Sequence, residues 1–362
     1  MPTRSETLAQ AARLRARFEA AGAQPIETPI LQPAETLLDL YGEDIRARAY
    51  VTSDALRGEQ MLRPDFTVPV VQMHMDNGAE PARYTYAGEV FRRQEHDPDR
   101  ASEFIQVGYE VFDRANPAAA DAEVFGLMTQ ALQGLNLRAA TGDIGILMAA
   151  VMGLRTTARR KAALMRHIWR PRRFRALLDR FAGRSPVPPS RAALLADADP
   201  MAGSATVIGR RSRSEVSDRI AALREDARTE PVSATEIAAL DELLAVRETA
   251  PNALAHLRDV AVDLPAITPA LYLLEARLEA LAARGVDVDS LDFEASYGRT
   301  SMEYYDGFVF GFYAERRPDL PPIASGGRYD ALTRQLGQGT EIPAVGGVLR
   351  PGLMLELTEG KS

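Results

Sequence analysis

The sequence has no cysteine among its 362 residues. That absence removes disulfide scaffolds, thiolate nucleophiles and cysteine-based zinc sites together. Histidine is scarce: His74, His96, His167 and His256 lie far apart, without metal-ligand spacing. No metal and no cofactor is therefore expected. Long apolar runs are missing too, since nothing approaches the roughly 20 residues of a membrane span. The segment from Met1 to Ala20 carries Arg4, Glu6, Arg13, Arg15 and Glu19. A signal peptide needs an uninterrupted apolar stretch, and this segment has none. The expectation is a cytoplasmic protein with no membrane association. Positive charge is not in excess either: the net charge is −7. A chain built to wrap nucleic acid is usually basic overall, so nucleic acid is not the expected partner.

What remains is a globular composition, 46% hydrophobic and 26% charged, with length for roughly two domains. Residues 3–21 predict an amphipathic helix: Thr3 and Glu6 fit a capping box, and Leu8, Ala11, Leu14 and Phe18 recur at helical spacing. Residues 82–92 and 103–113 predict two strands of a hairpin. Residues 119–265 predict mostly helix, with Ser233 and Glu236 as a further capping box. Leu271, Leu274, Leu278 and Leu281 mark one more helix. Strands return at 291–297, 303–313 and 343–349. The expected fold class is α+β: an antiparallel sheet flanked by helices and split by a helical insertion. The expected division is 1–139 with 286–362 as one discontinuous domain, and 140–285 as insertion and connecting helices.

Four segments concentrate chemistry: Met61 to Thr67, Phe91 to Gln94 continuing to Phe112, Glu303 to Phe310, and Ser325 to Asp330. On the second, strand alternation puts Gln106, Gly108 and Glu110 on one face. A carboxylate there can receive an ammonium group, and a glycine lets a ligand approach backbone. The plain alternative is an edge strand with a solvent face, and the strand alone favours it. The pair Gly326-Gly327 is read as a strand–helix turn where backbone nears a ligand.

Taken in order, the segments resemble class II aminoacyl-tRNA synthetases, and within them histidyl-tRNA synthetase. Leu62-Arg-Pro-Asp-Phe-Thr67 is similar to the family's Leu-Arg-Pro-Glu-Gly-Thr. Phe91-Arg-Arg-Gln94 is similar to the Phe-Arg-x-Glu of motif 2. Glu303-Tyr-Tyr305 and Ser325-Gly-Gly-Arg-Tyr-Asp330 resemble the two histidine-specific blocks, and Ile26 to Pro33 resembles the motif 1 dimer segment. The resemblance implies histidine-binding positions at Asp65, Thr67, Gln106, Glu110, Tyr305 and Tyr329. It implies that Arg92 is the remnant of a phosphate-binding arginine.

The catalytic positions depart from the family pattern. Gln94 replaces the motif 2 glutamate, and Thr300 stands where the resemblance puts the catalytic arginine, with Arg299 one residue away. Gly352 and Leu353 fall where motif 3 has Glu-Arg, and Pro351 is expected to break that helix. Losing one charge-stabilising donor costs roughly 3–4 kcal/mol in a barrier. With the chain ending at Ser362, no anticodon-binding domain is expected. The resemblance then narrows to a truncated, non-catalytic branch of the family, the regulatory subunits of ATP phosphoribosyltransferase. It implies a short-form catalytic subunit as partner, a dimer of this chain within a hetero-octamer, and L-histidine as ligand. A minimal histidine-activating enzyme and a tRNA-binding module are the rivals. The tRNA module rests on the basic run Arg155 to Arg184, whose plain reading is a solvated helical face with Trp169 and Phe174 turned inward.

Overall fold

The computed structural model describes residues 2–41, 45–94, 100–202, 208–299 and 304–359. Thr300, Glu303 and His96 lie outside the described residues. A nine-stranded sheet organises the chain. Its strands run in the order Gln24–Pro25, Ala82–Phe91, Glu103–Phe112, Ala344–Leu349, Ala324–Arg328, Phe308–Tyr313, Arg138–Asp143, Asp292–Glu294 and Arg247–Thr249. The pairings from Ala82–Phe91 across to Arg138–Asp143 are all antiparallel, and parallel pairing appears only near the two ends. The expected α+β plan is therefore the observed one. A small antiparallel sheet, Leu31–Pro33, Gly58–Leu62 and Val51–Asp54, stands beside it.

Local chemistry accounts for several elements. Helix Arg4–Ala20 starts where Thr3 accepts the Glu6 amide and Glu6 reaches back. Ala11, Leu14 and Phe18 bury one stripe, while Leu8, expected in that stripe, is exposed. Helix Ala234–Ala245 starts on the Ser233–Glu236 box. Strand Glu103–Phe112 pairs on both sides and is buried from Ile105 onward. The solvent-edge alternative for it is thus excluded.

Residues 119–265 are mostly helical, as expected, but Arg138–Asp143 is an internal strand, though Ala139 and Ala140 are poor strand formers. Partners on both sides override that propensity. This strand also straddles the expected 139/140 boundary. The strand expected from 303 begins at Phe308. Gly326 and Gly327 lie within a strand, not at a turn. Pro351 does not break the helix Pro351–Glu359 but opens it, at the first helical position where its missing N–H costs nothing.

A buried ion network joins sheet to helices. Arg277, on helix Thr268–Ala283, donates to Asp121 at 2.7 Å and to Asp143 at 2.8 Å. Arg328 donates to Asp121 at 2.7 Å, to Asp330 at 3.0 Å and to the Pro117 carbonyl at 2.8 Å. Asp121 therefore sits between two guanidinium groups, which offsets its burial. Among the insertion helices, Asp226 plays the same part for Arg160, Arg180 and Arg191. No helix among the described residues is long and apolar enough to cross a membrane.

Arg277→Ala strands the buried carboxylate of Asp143 and leaves Asp121 with Arg328 alone. Chemical denaturation should show a loss of about 3–5 kcal/mol, the usual consequence of removing one partner of a buried pair.

Candidate functional site

The site is built around Glu110, which is 1% exposed at the middle of the sheet. Tyr86 donates to its carboxylate at 2.7 Å, Tyr329 at 2.5 Å and Thr67 at 3.4 Å. Among the described residues no basic side chain is ion-paired with it. Burial pushes its carboxyl up to about 7, and the tyrosine hydrogen bonds oppose that rise while nearby Asp65 adds to it. The same two acids push Tyr305 up, after burial itself. Glu110 and Asp65 thus form a buried acidic pair.

Strand geometry makes room for this arrangement. Gly346 pairs opposite Glu110, and a Cβ there would meet the Glu110 Oε2 at 1.5 Å. Gly108 pairs opposite Tyr86, and a Cβ there would meet the tyrosine ring at 2.1 Å. The expected role of Gly108 is therefore corrected: the space above it holds the Tyr86 ring. Gly327 makes room for Tyr305 in the same way, with a Cβ placed 2.8 Å from that ring.

Behind Tyr86 stands a stacked column. Phe66 lies against Tyr86 at 4.2 Å between ring centroids, and the Arg63 guanidinium lies 4.0 Å over Phe66. Arg63 is pinned by the carbonyls of Glu89 and Thr28. This explains why Leu62-Arg-Pro-Asp-Phe-Thr67 forms one unit. Its Asp65 accepts from the Val68 amide at 3.5 Å at the start of helix Thr67–Asn77.

The structure brings Asp65, Thr67, Glu110, Tyr305 and Tyr329 into this acidic, phenolic cluster. Gln106 shares the strand face with Glu110, four residues earlier. It is fully buried, and neither its Nε2 nor its Oε1 has a hydrogen-bond partner. An amide left with both a free donor and a free acceptor is costly, of order 1–3 kcal/mol per group. Such a group is completed by an ordered water or by a ligand. Tyr86 and Tyr304 are the residues that sequence reading missed. Tyr304 donates to Thr67 at 3.4 Å. A tyrosine facing a strand glycine was the available signal for Tyr86.

Arg92, expected as the remnant of a phosphate-binding arginine, lies near enough to Tyr305 to oppose its rise but takes other partners. Arg92 donates through Nε to the Pro64 carbonyl at 2.7 Å, and its guanidinium lies 5.6 Å over Phe104. Arg350 lies 5.5 Å over the same ring. Burial, with Arg92 and Arg100 nearby, brings the Arg350 guanidinium down to about 9. Arg299 turns toward the insertion helices, donating to the Ile168 carbonyl at 2.8 Å and lying 4.8 Å over Phe174. Of the basic run, Arg160 is buried, Phe174 is buried and Trp169 is half-buried, while Arg155, Arg166, Arg172 and Arg173 are exposed.

An antiparallel sheet presenting a buried acid among tyrosines, with a helical insertion at its side, defines a class II synthetase-type module. The family model described as histidyl-tRNA synthetase matches residues 2–228 and 217–351. The ATP phosphoribosyltransferase regulatory subunit of Brucella anthropi is 33% identical over 360 residues, covering 92% of this chain and 93% of that protein. The subunit of the same name from Brucella ovis shows the same identity and coverage. Among solved structures, an ATP phosphoribosyltransferase regulatory subunit/histidyl-tRNA synthetase from Bacillus halodurans superposes with a TM-score of 0.66 at 22% identity, covering 98% of this chain and 79% of that one. A histidine–tRNA ligase subunit from Alicyclobacillus acidocaldarius gives 0.60 at 24% identity, covering 99% and 94%. The chain belongs to the histidyl-tRNA synthetase-like family, in the branch of ATP phosphoribosyltransferase regulatory subunits.

A pH dependence follows from Glu110. Its folded carboxyl lies near 7, above the ordinary 4.5. The folded chain therefore holds a proton that the unfolded chain releases, and this group's stabilisation is present at acid pH and lost as pH rises from 4.5 toward 7. Unfolding titrations of wild type and Glu110→Gln across that window should diverge by on the order of 3 kcal/mol, with only wild type carrying this group's slope. Asp306, also raised to about 7 by burial beside Asp330, contributes equally to both and cancels.

Proposed function

We propose that this chain is the non-catalytic regulatory subunit of an ATP phosphoribosyltransferase, serving the first step of histidine biosynthesis, and that the cluster around Glu110 receives L-histidine. The observation that carries this reading is a buried polar site left incomplete. Glu110 is anionic or half-protonated without a cation, and Gln106 has an unused donor and acceptor. The α-ammonium of an amino acid meets the first need, and the polar atoms of the same ligand meet the second. The names of the curated relatives support the assignment to histidine biosynthesis.

The non-catalytic part rests on where the arginines lie. Adenylation needs positive charge on a triphosphate and on the charge developing in transfer. Arg92 is engaged with the Pro64 carbonyl, and Arg299 is turned into the insertion helices. The chain is read as a dimer inside a hetero-octamer. The small sheet that carries the motif 1 segment supports this by exposing Ile30, Leu31, Val51 and Leu56. A cytoplasmic location and the division into a synthetase-like module with an inserted helical segment complete the reading. Feedback requires that histidine bind active and inactive assemblies with different affinity.

One observation favours the enzyme as a second reading: Arg350 and Arg92 gather at Phe104. Two measurements separate the readings. Mixed with a short-form catalytic subunit, the chain should form a stable complex and raise phosphoribosyltransferase activity; no complex and no gain contradicts the proposal. Alone, it should show no histidine-dependent exchange of pyrophosphate into ATP, and clear exchange supports the enzyme.

A further inference from the structure

The proposed ligand site is closed. Gln106 and Glu110 are 0% and 1% exposed, Thr67 5% and Tyr305 9%. A ligand that reaches Glu110 must displace part of this wall. Tyr304 and Tyr305 form one side of it, packed edge-to-face at 4.8 Å, with Tyr304 also edge-on to Tyr329. From outside, that side is held by the helical insertion. The indole Nε1 of Trp169 donates to the Tyr305 carbonyl at 3.2 Å. Trp169 sits in the turn between helices Ala158–Arg166 and Pro171–Phe181. The neighbouring Ile168 carbonyl accepts from Arg299, whose guanidinium covers Phe174 on the second helix. Arg299 is 5% exposed and its second terminal nitrogen has no partner. Trp169 therefore fastens the wall to this turn, and the adjacent Ile168 holds Arg299 beside it.

We infer that Trp169 is a positioning residue that latches the insertion to the Tyr305 wall, so that occupancy of the Glu110 site changes the placement of helices Ala158–Arg166 and Pro171–Phe181. The inference rests on the proposed histidine site and adds a route from it to a surface. That surface carries Arg155, Arg166, Arg172 and Arg173, all exposed. A closed site and an open one then differ in where this basic face stands. A partner touching it distinguishes the two states, which is the differential contact that feedback requires. The unpartnered Arg299 nitrogen fits a seam with a second arrangement, in which that group finds an acceptor.

Trp169 is the sole tryptophan of the chain, so its emission reports the latch directly. Histidine is titrated into the full chain while binding heat, tryptophan emission and amide hydrogen exchange over residues 158–181 are recorded. The expected result is saturable heat with a matching shift in emission and faster exchange in that segment. Trp169→Phe keeps an aromatic ring, though a smaller one, and removes the donor. It should bind histidine roughly two- to tenfold more tightly, because the closed state loses a hydrogen bond. A group that merely supports the fold would leave affinity unchanged or lower it, and that result overturns the inference. Binding heat with unchanged emission and exchange overturns the latch and leaves the histidine site standing. No binding heat from wild type overturns both.

Discussion

The structure turns on a carboxylate buried where no cation among the described residues meets it. Glu110 stands in the interior of a nine-stranded sheet, and its charge is opposed by burial and by Asp65. Apart from Asp65, the groups close to it tolerate that charge without an ion pair. Tyr86, Tyr329 and Thr67 donate, Gly346 gives the carboxylate room, and Gly108 gives Tyr86 its place. The column of Arg63, Phe66 and Tyr86 keeps a guanidinium near but out of contact. A core optimised for stability alone would use an apolar residue here, because a buried unpaired acid is expensive.

A second buried network shows the contrast. Asp121, Asp143 and Asp330 each meet Arg277 or Arg328, so each of these acids has a guanidinium partner within the fold. The chain therefore pairs buried acids where it needs rigidity. Around Glu110 and Gln106 it leaves the pairing undone. On the proposed reading, that difference is what separates the structural cluster from the ligand site.

Much of this was legible in the sequence. Capping boxes placed two helices, and alternation put Gln106 and Glu110 on one face. Ordered motifs indicated the family. What was not legible depended on partners distant in the chain. Arg138–Asp143 reads as helix because alanine carries no strand signal, and only its neighbours in the sheet make it a strand. Gly108, Gly326 and Gly327 were read as openings for a ligand, whereas each faces an aromatic ring, a contact that strand register alone determines. Pro351 was read as a helix breaker, a conclusion that depends on whether the helix has already begun. Tyr86 was legible only through its register opposite Gly108, and the role of Trp169 could not emerge, since it acts through a residue far along the chain.

The central claim is that the incomplete cluster is a binding site for an amino acid. Isothermal titration of histidine into wild type and Glu110→Gln tests it most directly, because the amide keeps the shape and removes the charge. The account predicts saturable binding by wild type, accompanied by proton release near neutral pH as the ammonium group draws Glu110 into its ionised form. It predicts a loss of about 10- to 100-fold in Glu110→Gln, the range expected for a charge-assisted hydrogen bond. Equal affinity of the two proteins, with the same proton balance, would contradict it and move histidine to another place on the molecule.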